Sequence, residues 1–133
     1  MRPLSKRALS VVFVMVAVLA GCVGGGNVQT AAVRSGNLSV LSIEAGRLYF
    51  WPNEIRVNKP GPVRLEINNV SGSRQNFTLQ DPEWNTLENI ELPAGKITSI
   101  DLKLNQPGIY QFYCNKALHS LLGMNGQIYV EQQ

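Results

Sequence analysis

The chain has 133 residues, of which 44% are hydrophobic and 16% are charged. This length and composition predict one globular domain, and they exclude both a largely disordered protein and a pair of independent domains. The formal net charge of +3 depends on Arg2, Lys6 and Arg7, which lie in a segment that we expect to be removed. The remaining charges balance and are scattered along the chain, so we expect no nucleic-acid binding.

The N-terminus has the pattern of an export signal. The basic stretch MRPLSKR is followed by ALSVVFVMVAVLA, an apolar run too short to span a bilayer as a mature helix. The run ends in Leu19-Ala20-Gly21-Cys22, which resembles the lipobox of bacterial lipoproteins. In that family a lipid is attached to the cysteine and the chain is cut just before it. The sequence thus predicts a signal peptide over 1–21 and a lipid anchor on Cys22, which would hold the protein on the periplasmic or cell-surface face of a membrane. The alternative is an ordinary secretory signal with a chance cysteine, and on either interpretation the mature chain leaves the cytoplasm.

The next segment is rich in glycine and small polar residues. It predicts a flexible tether, so we assign 22–36 to the lipidated cysteine and tether and 37–133 to the folded domain. The sequence contains one other cysteine, Cys114. If Cys22 carries lipid, Cys114 is a lone thiol in an oxidising compartment, where burial or a metal would have to protect it. If Cys22 carries no lipid, a disulfide between the two is the alternative.

From residue 38 onward the apolar residues alternate with polar ones, with turn-forming Pro, Gly and Ser clusters between the runs. This pattern predicts an all-β sandwich or barrel of short strands. The segment 84–92, WNTLENIEL, fits the alternation least well, and we predict a short helix or an irregular crossover there. Phe50 and Trp51, beside a turn, are expected in the core. The predicted strands are LSVLSI (38–43), EIRV (54–57), PVRLEIN (62–68), NFTL (76–79), KITSIDLKL (96–104), GIYQFYC (108–114) and GQIYV (126–130).

Cys114, His119 and Met124 follow one another at equal spacing near the C-terminus, and His119 is the only histidine in the chain. Side chains alternate along a strand, so Cys114 points to the same side as Tyr110 and Phe112, which is inward. His119 and Met124 lie in the loop that follows and can fold back onto the thiol. Because thiolate, imidazole and thioether are ligands that copper accepts, this spacing suggests a copper site.

Two stretches resemble the cupredoxin (blue copper protein) family. PGIYQFYCNKALHSLLGMNGQIYV (107–130) is similar to the C-terminal signature of that family, with ligand spacing similar to that of auracyanin-type members. FWPNEIRV (50–57) is similar to an earlier family strand. The resemblance implies a cupredoxin-like Greek-key β-sandwich of about seven to eight strands. It also implies copper at one end, held by two histidines and a cysteine, with a methionine as a distant axial ligand.

The chain departs from the family pattern at one position. In SRQNFTL (73–79), Gln75 stands where the family has its first histidine, followed by Asn76, which in the family helps to brace the site. The resemblance therefore carries over Cys114, His119 and Met124 as copper ligands. It leaves Gln75 as a weak or vacant first-ligand position.

Three functions remain open at this point. The first is electron transfer by an exported, membrane-anchored protein with a modified type 1 copper site. The second is a Cu(I) carrier or copper-handling lipoprotein, since Cu(I) favours soft ligands. The third is a module that has lost copper and acts in binding or assembly. We expect no enzymatic activity, because neither a paired-carboxylate motif nor a glycine-rich phosphate loop is evident in the sequence.

Apolar residues surround His119 in the sequence, namely Ala117, Leu118, Leu121 and Leu122. In the family, the corresponding edge is a docking surface for redox partners. We therefore expect a redox or copper-exchange partner protein to dock near Leu118, Leu121 and Leu122. The alternative is that these residues cap one end of the core.

Overall fold

A computed structural model describes residues 28–29, 33–35 and 38–132. The predicted signal peptide over 1–21 and the predicted lipidation site Cys22 lie outside the described residues. In the part of the chain that is described there are eleven strands and no helix, and accordingly no apolar helix long enough to cross a bilayer. The strands are β1 (Val28–Gln29), β2 (Val33–Ser35), β3 (Leu38–Ala45), β4 (Phe50–Trp51), β5 (Glu54–Val57), β6 (Gly61–Asn69), β7 (Gln75–Gln80), β8 (Thr86–Leu92), β9 (Ile97–Leu104), β10 (Gly108–Tyr113) and β11 (Asn125–Val130).

The strands form two sheets. One has the order β1-β5-β11-β10-β7-β8, and the other has the order β2-β3-β6-β9, with β4 paired to β3. Several neighbours are far apart in sequence, so the chain crosses repeatedly between the sheets. Eight strands have four residues or more, in agreement with the seven to eight expected. The prediction of an all-β sandwich is confirmed.

Two short strands lie inside the range 22–36 that the sequence assigns to a tether. β1 pairs in parallel with β5, and β2 pairs antiparallel with β3. The boundary at residue 37 stays a prediction, although each sheet includes one short strand that precedes it.

The prediction for 84–92 is wrong, because Thr86–Leu92 forms strand β8, paired antiparallel with β7 at the edge of its sheet. Alternate residues of this strand face inward, ending with the fully buried Leu92, while Leu87 and Glu91 face solvent. An edge strand exposes much of both faces, so polar residues occupy inward as well as outward positions. That mixture obscures the alternation on which strand prediction depends.

The inner faces of both sheets form a single core. Near one end of it, Phe50 and Phe77 make an edge-to-face contact, with ring centroids 5.8 Å apart, and Phe77 stacks on Phe112 at 5.4 Å. The expectation that Trp51 also packs in the core is wrong, because its side chain is 42% exposed. Successive side chains of a strand point to opposite faces. In the two-residue strand β4, Phe50 points inward and Trp51 therefore points to solvent.

The pairing of β10 with its two neighbours creates the candidate site. β7 runs antiparallel to β10, with Tyr113 opposite Thr78. The start of β7 therefore lies beside the end of β10. On the other side, β11 begins where β10 ends, with Asn125 opposite Tyr113. Residues just outside these strand ends are thus brought to one pole of the sandwich.

Candidate metal centre

Cys114 directly follows β10 and is completely buried, on the same side as the buried Tyr110 and Phe112. The inward direction expected from the alternation is confirmed. Its backbone N–H donates to the carbonyl oxygen of Met124 at 3.0 Å. This hydrogen bond joins the two ends of the intervening loop, so that the loop begins and ends at the same point of the fold.

The loop 115–123 turns tightly and presents His119 to the thiol. The N–H of Met124 donates to the carbonyl of His119 at 2.9 Å, and the N–H of His119 donates to the carbonyl of Lys116 at 3.1 Å. Leu118 and Gly123 adopt positive φ values of 64° and 102°, a region that glycine enters at little cost and leucine rarely does. The result is that His119 Nδ1 lies 3.6 Å from Cys114 Sγ.

Gln75, at the start of β7, is the third side chain of the candidate site. It is the first residue of β7 and is fully buried. Its Oε1 lies 3.1 Å from His119 Nδ1 and 3.7 Å from Cys114 Sγ. Gln75, which the sequence resemblance aligns with the first histidine of the family, therefore contacts both other side chains.

The amide of Gln75 has a defined orientation. Its Nε2 donates toward the carbonyl oxygen of Arg47 at 3.4 Å, the hydroxyl of Ser71 at 3.2 Å and the hydroxyl of Ser73 at 3.3 Å. A carbonyl oxygen can only accept a hydrogen bond, so the NH₂ end must face Arg47. The oxygen end then faces Cys114 and His119.

Met124, the fourth predicted ligand, is also completely buried. Its backbone carbonyl accepts a hydrogen bond from Cys114, and its backbone N–H donates one to His119. The structure thus brings the side chains of three predicted ligands into mutual contact, and it ties Met124 to the same loop through the main chain.

The three contacting donor atoms have separations suited to a metal ion. Points 3.1, 3.6 and 3.7 Å apart share a common centre ~2.0 Å from each, close to the ~2.0–2.3 Å bonds that nitrogen, oxygen and thiolate ligands make to zinc, a comparable first-row metal ion. Within the described residues, no three side chains drawn from His, Cys, Asp and Glu come together. A metal here would depend on the Gln75 oxygen and the Met124 thioether in addition to Cys114 and His119.

Asn76 braces the loop from the opposite side of β7. It is buried, and its Oδ1 accepts hydrogen bonds from Asn115 N at 3.1 Å and from Thr78 Oγ1 at 2.8 Å. Its Nδ2 donates to Asn89 Oδ1 and to the carbonyl of Ile90. The residue after Cys114 is therefore anchored to β7 and β8.

A second polar network was not predicted from the sequence. Asn69 is fully buried, and its Nδ2 donates to the carbonyls of Ser73, Leu92 and Pro93. Its Oδ1 accepts from both the N–H and the hydroxyl of Ser71. In the sequence this stretch reads only as a turn, since the carbonyls that complete the network come from another strand end.

The rim of the site is apolar. Leu118, Leu121 and Leu122 are 65%, 83% and 60% exposed, and Ala117 is exposed as well. They do not cap the core. One ion pair, between Lys116 and Glu91 with a 3.4 Å separation, lies nearby in solvent, where such pairs contribute little.

Comparison with known proteins identifies the family. The model of the cupredoxin-like domain matches residues 12–130. The chain belongs to the cupredoxin-like family. No curated protein shows a significant sequence match to it.

Several solved structures resemble this one. Dithionite-reduced auracyanin from Roseiflexus castenholzii has a TM-score of 0.62 at 19% identity, over 70% of this chain and 97% of that one. Auracyanin A, a "blue" copper protein from Chloroflexus aurantiacus, has a TM-score of 0.61 at 15% identity, over 71% and 99%. The metal-binding domain of the Cu(I)-exporting P-type ATPase CopA from Streptococcus pneumoniae D39, solved with Cu(I), has a TM-score of 0.62 at 16% identity, over 82% and 100%. These likenesses confirm the cupredoxin-like fold.

Proposed function

We propose that this cupredoxin binds copper through Cys114, His119 and Met124, with the amide oxygen of Gln75 replacing the first imidazole, and that it transfers electrons. The supporting observation is the mutual approach of Cys114 Sγ, His119 Nδ1 and Gln75 Oε1, all within 3.7 Å of one another. Bound copper would supply the one-electron change between Cu(I) and Cu(II). We propose that the protein is an electron carrier and not an enzyme.

The surroundings of the four side chains suit electron transfer. Cys114, Met124 and Gln75 are fully buried, and backbone hydrogen bonds fix the loop that carries His119. A close-packed frame resists rearrangement, so the donor atoms would keep their places when the charge of the ion changes. His119 is the half-buried member of the set, so a partner would approach the site through its ring.

A Cu(I) carrier is the second candidate, and the charge of the donor set favours it. Amide oxygen, imidazole and thioether are neutral, so the thiolate of Cys114 would cancel the charge of Cu(I) and leave one positive charge with Cu(II). Uncompensated charge is costly in a buried site. Soft thiolate and thioether ligands also favour Cu(I).

Copper titration separates these candidates. The full chain carrying Cys22→Ser, purified in detergent, keeps Cys114 as its one thiol. An intense visible thiolate-to-copper band on adding Cu(II) supports electron transfer. Tight Cu(I) binding without a coloured Cu(II) form supports the carrier. If neither ion binds, the proposal fails and the metal-free binding module stands. Cys114→Ser is the matched control and should abolish both signals.

We also propose that the protein is exported and held at a membrane by lipid on Cys22. The Leu19-Ala20-Gly21-Cys22 sequence and the apolar run before it support this. Mass spectrometry should find a mature chain that begins at an acylated Cys22, and Cys22→Ser should remove the acyl group. An unmodified Cys22 peptide would exclude the anchor.

A partner protein is proposed to dock on the exposed leucines Leu118, Leu121 and Leu122. Leu121→Ser with Leu122→Ser should slow electron or copper exchange with the native partner while the unfolding midpoint stays unchanged. Ile97→Ser, which removes another apolar side chain that is 66% exposed, is the control. Equal exchange rates in both variants would exclude docking at the leucines.

A further inference from the structure

The orientation of the Gln75 amide depends on groups outside the candidate ligand set. Only the oxygen end of an amide can bind a cation, because the NH₂ end carries hydrogens and no available lone pair. A Gln75 side chain turned end for end would point two N–H groups at the metal position. Whether the site can hold copper therefore depends on what fixes the amide.

The hydrogen bonds around Ser71 run in one direction. The carbonyls of Leu92 and Pro93 can only accept, so Asn69 must turn its NH₂ toward them and its oxygen toward Ser71. The Ser71 hydroxyl then has acceptor-only oxygens at 2.7 Å (Asn69 Oδ1) and 2.8 Å (Ser73 O). Its single hydrogen is used there, and a lone pair is left for Gln75 Nε2 at 3.2 Å.

We propose that Ser71, itself oriented by Asn69, is the positioning residue that keeps the amide oxygen of Gln75 facing Cys114 and His119, which would hold the metal with it. Ser73 and the Arg47 carbonyl support the same orientation as further acceptors for Gln75 Nε2. The inference rests on the proposed copper site. It adds that a chain of buried hydrogen bonds, which begins at the carbonyls at the end of β8, orients Gln75 so that its oxygen could bind a metal where the family has a histidine.

The test compares Ser71→Ala in two backgrounds. In the native Gln75 chain, Ser71→Ala removes an acceptor, and Cu(I) affinity measured by chelator competition should fall about 3- to 10-fold, the effect of losing one hydrogen bond. In the Gln75→Glu chain both ends of the side chain are oxygen, so orientation no longer matters. There the same change should alter affinity by less than about twofold.

Two further variants test whether Ser71→Ala lowers affinity only by disturbing the local structure. Ser71→Thr keeps the hydroxyl and should restore affinity, and Ser42→Ala, at an exposed position on β3, should leave it unchanged. An equal loss of affinity from Ser71→Ala in both backgrounds would mean that Ser71 supports only the loop, and would overturn the inference.

Side-chain amide NMR decides the matter without copper. In the metal-free native chain, the Gln75 NH₂ protons should show nuclear Overhauser effects to Ser71 and Ser73, whereas in Ser71→Ala a share of the signal should move to the His119 ring. NH₂ protons that contact His119 in the native chain would overturn the inference. Because this measurement needs no metal, failure of the chain to bind copper would be recognised separately.

Discussion

Replacement of Asn76 by alanine tests whether bracing by β7 and β8 holds the loop 115–123 in place. The substitution removes a buried side chain with four hydrogen bonds. Two are donated by its Nδ2, to Asn89 Oδ1 at 2.9 Å and to the Ile90 carbonyl at 3.0 Å. Two are accepted by its Oδ1, from Thr78 Oγ1 at 2.8 Å and Asn115 N at 3.1 Å. The last of these is the bond that anchors the residue after Cys114.

The cost follows from the burial of the partners. Each bond contributes about 1 kcal/mol net, and a buried group left without a partner costs about 1–3 kcal/mol. Thr78 is buried and Ile90 half-buried, whereas Asn89 and Asn115 are exposed and can bind water instead. We therefore expect Asn76→Ala to lower the free energy of unfolding by about 2–4 kcal/mol, a fall of about 10–15 °C in midpoint for a domain of this size.

Denaturant titration followed by Trp fluorescence and circular dichroism measures this change. Asn68→Ala, at an exposed position on β6, is the matched control and should stay within about 0.5 kcal/mol of the native chain. Copper affinity should also fall by about tenfold or more in Asn76→Ala, as it does when support of metal ligands is lost. If Asn76→Ala unfolds no more easily than Asn68→Ala, the bracing role is refuted.

Three other substitutions test separate parts of the structure. Gly126→Ala would place a methyl group in steric clash with the edge of the Phe112 ring and with the carbonyl oxygen of Asn53. We therefore expect a loss of about 1–3 kcal/mol in urea unfolding, and a loss below about 0.5 kcal/mol would contradict the packing described. Hydrogen bonding to the Arg64 guanidinium lowers the pKa of Asp101, so this pair stabilises the fold above about pH 4 and the contribution is lost as the pH falls through the folded-state pKa. Asp101→Asn should accordingly flatten the pH dependence of the unfolding midpoint in acid, and an unchanged acid slope would exclude that role. Gln75→His should give a much stronger visible band with Cu(II), and a colourless variant would show that Gln75 does not occupy the first-ligand position.

Strand positions were largely predictable because burial on one face leaves a period of two in the sequence. The alternation placed Cys114 correctly on the inward side with Tyr110 and Phe112. It failed at Thr86–Leu92, where the edge position lets polar residues occupy both faces, and at Trp51, where a two-residue strand gives too little pattern to assign a face.

The sequence predicted which side chains meet at the candidate site, but it did not predict the hydrogen bonds that hold them in place. The approach of Gln75 to Cys114 and His119 was expected from the sequence resemblance, although Gln75 lies in β7 and the other two lie between β10 and β11. The network of Asn69 and Ser71 could not be predicted in the same way. Its orientation is fixed by carbonyls at the end of β8, more than 20 positions further along the chain, and local sequence gives no sign of that contact.

The burial of Cys114 has a consequence for its reactivity. Because the thiol has no exposed surface and His119 lies against it, an alkylating reagent can reach the sulfur only after the surrounding structure opens. The alkylation rate of the metal-free protein thus reports how often this opening occurs, and a metal ion held by Cys114 and His119 would lower that rate.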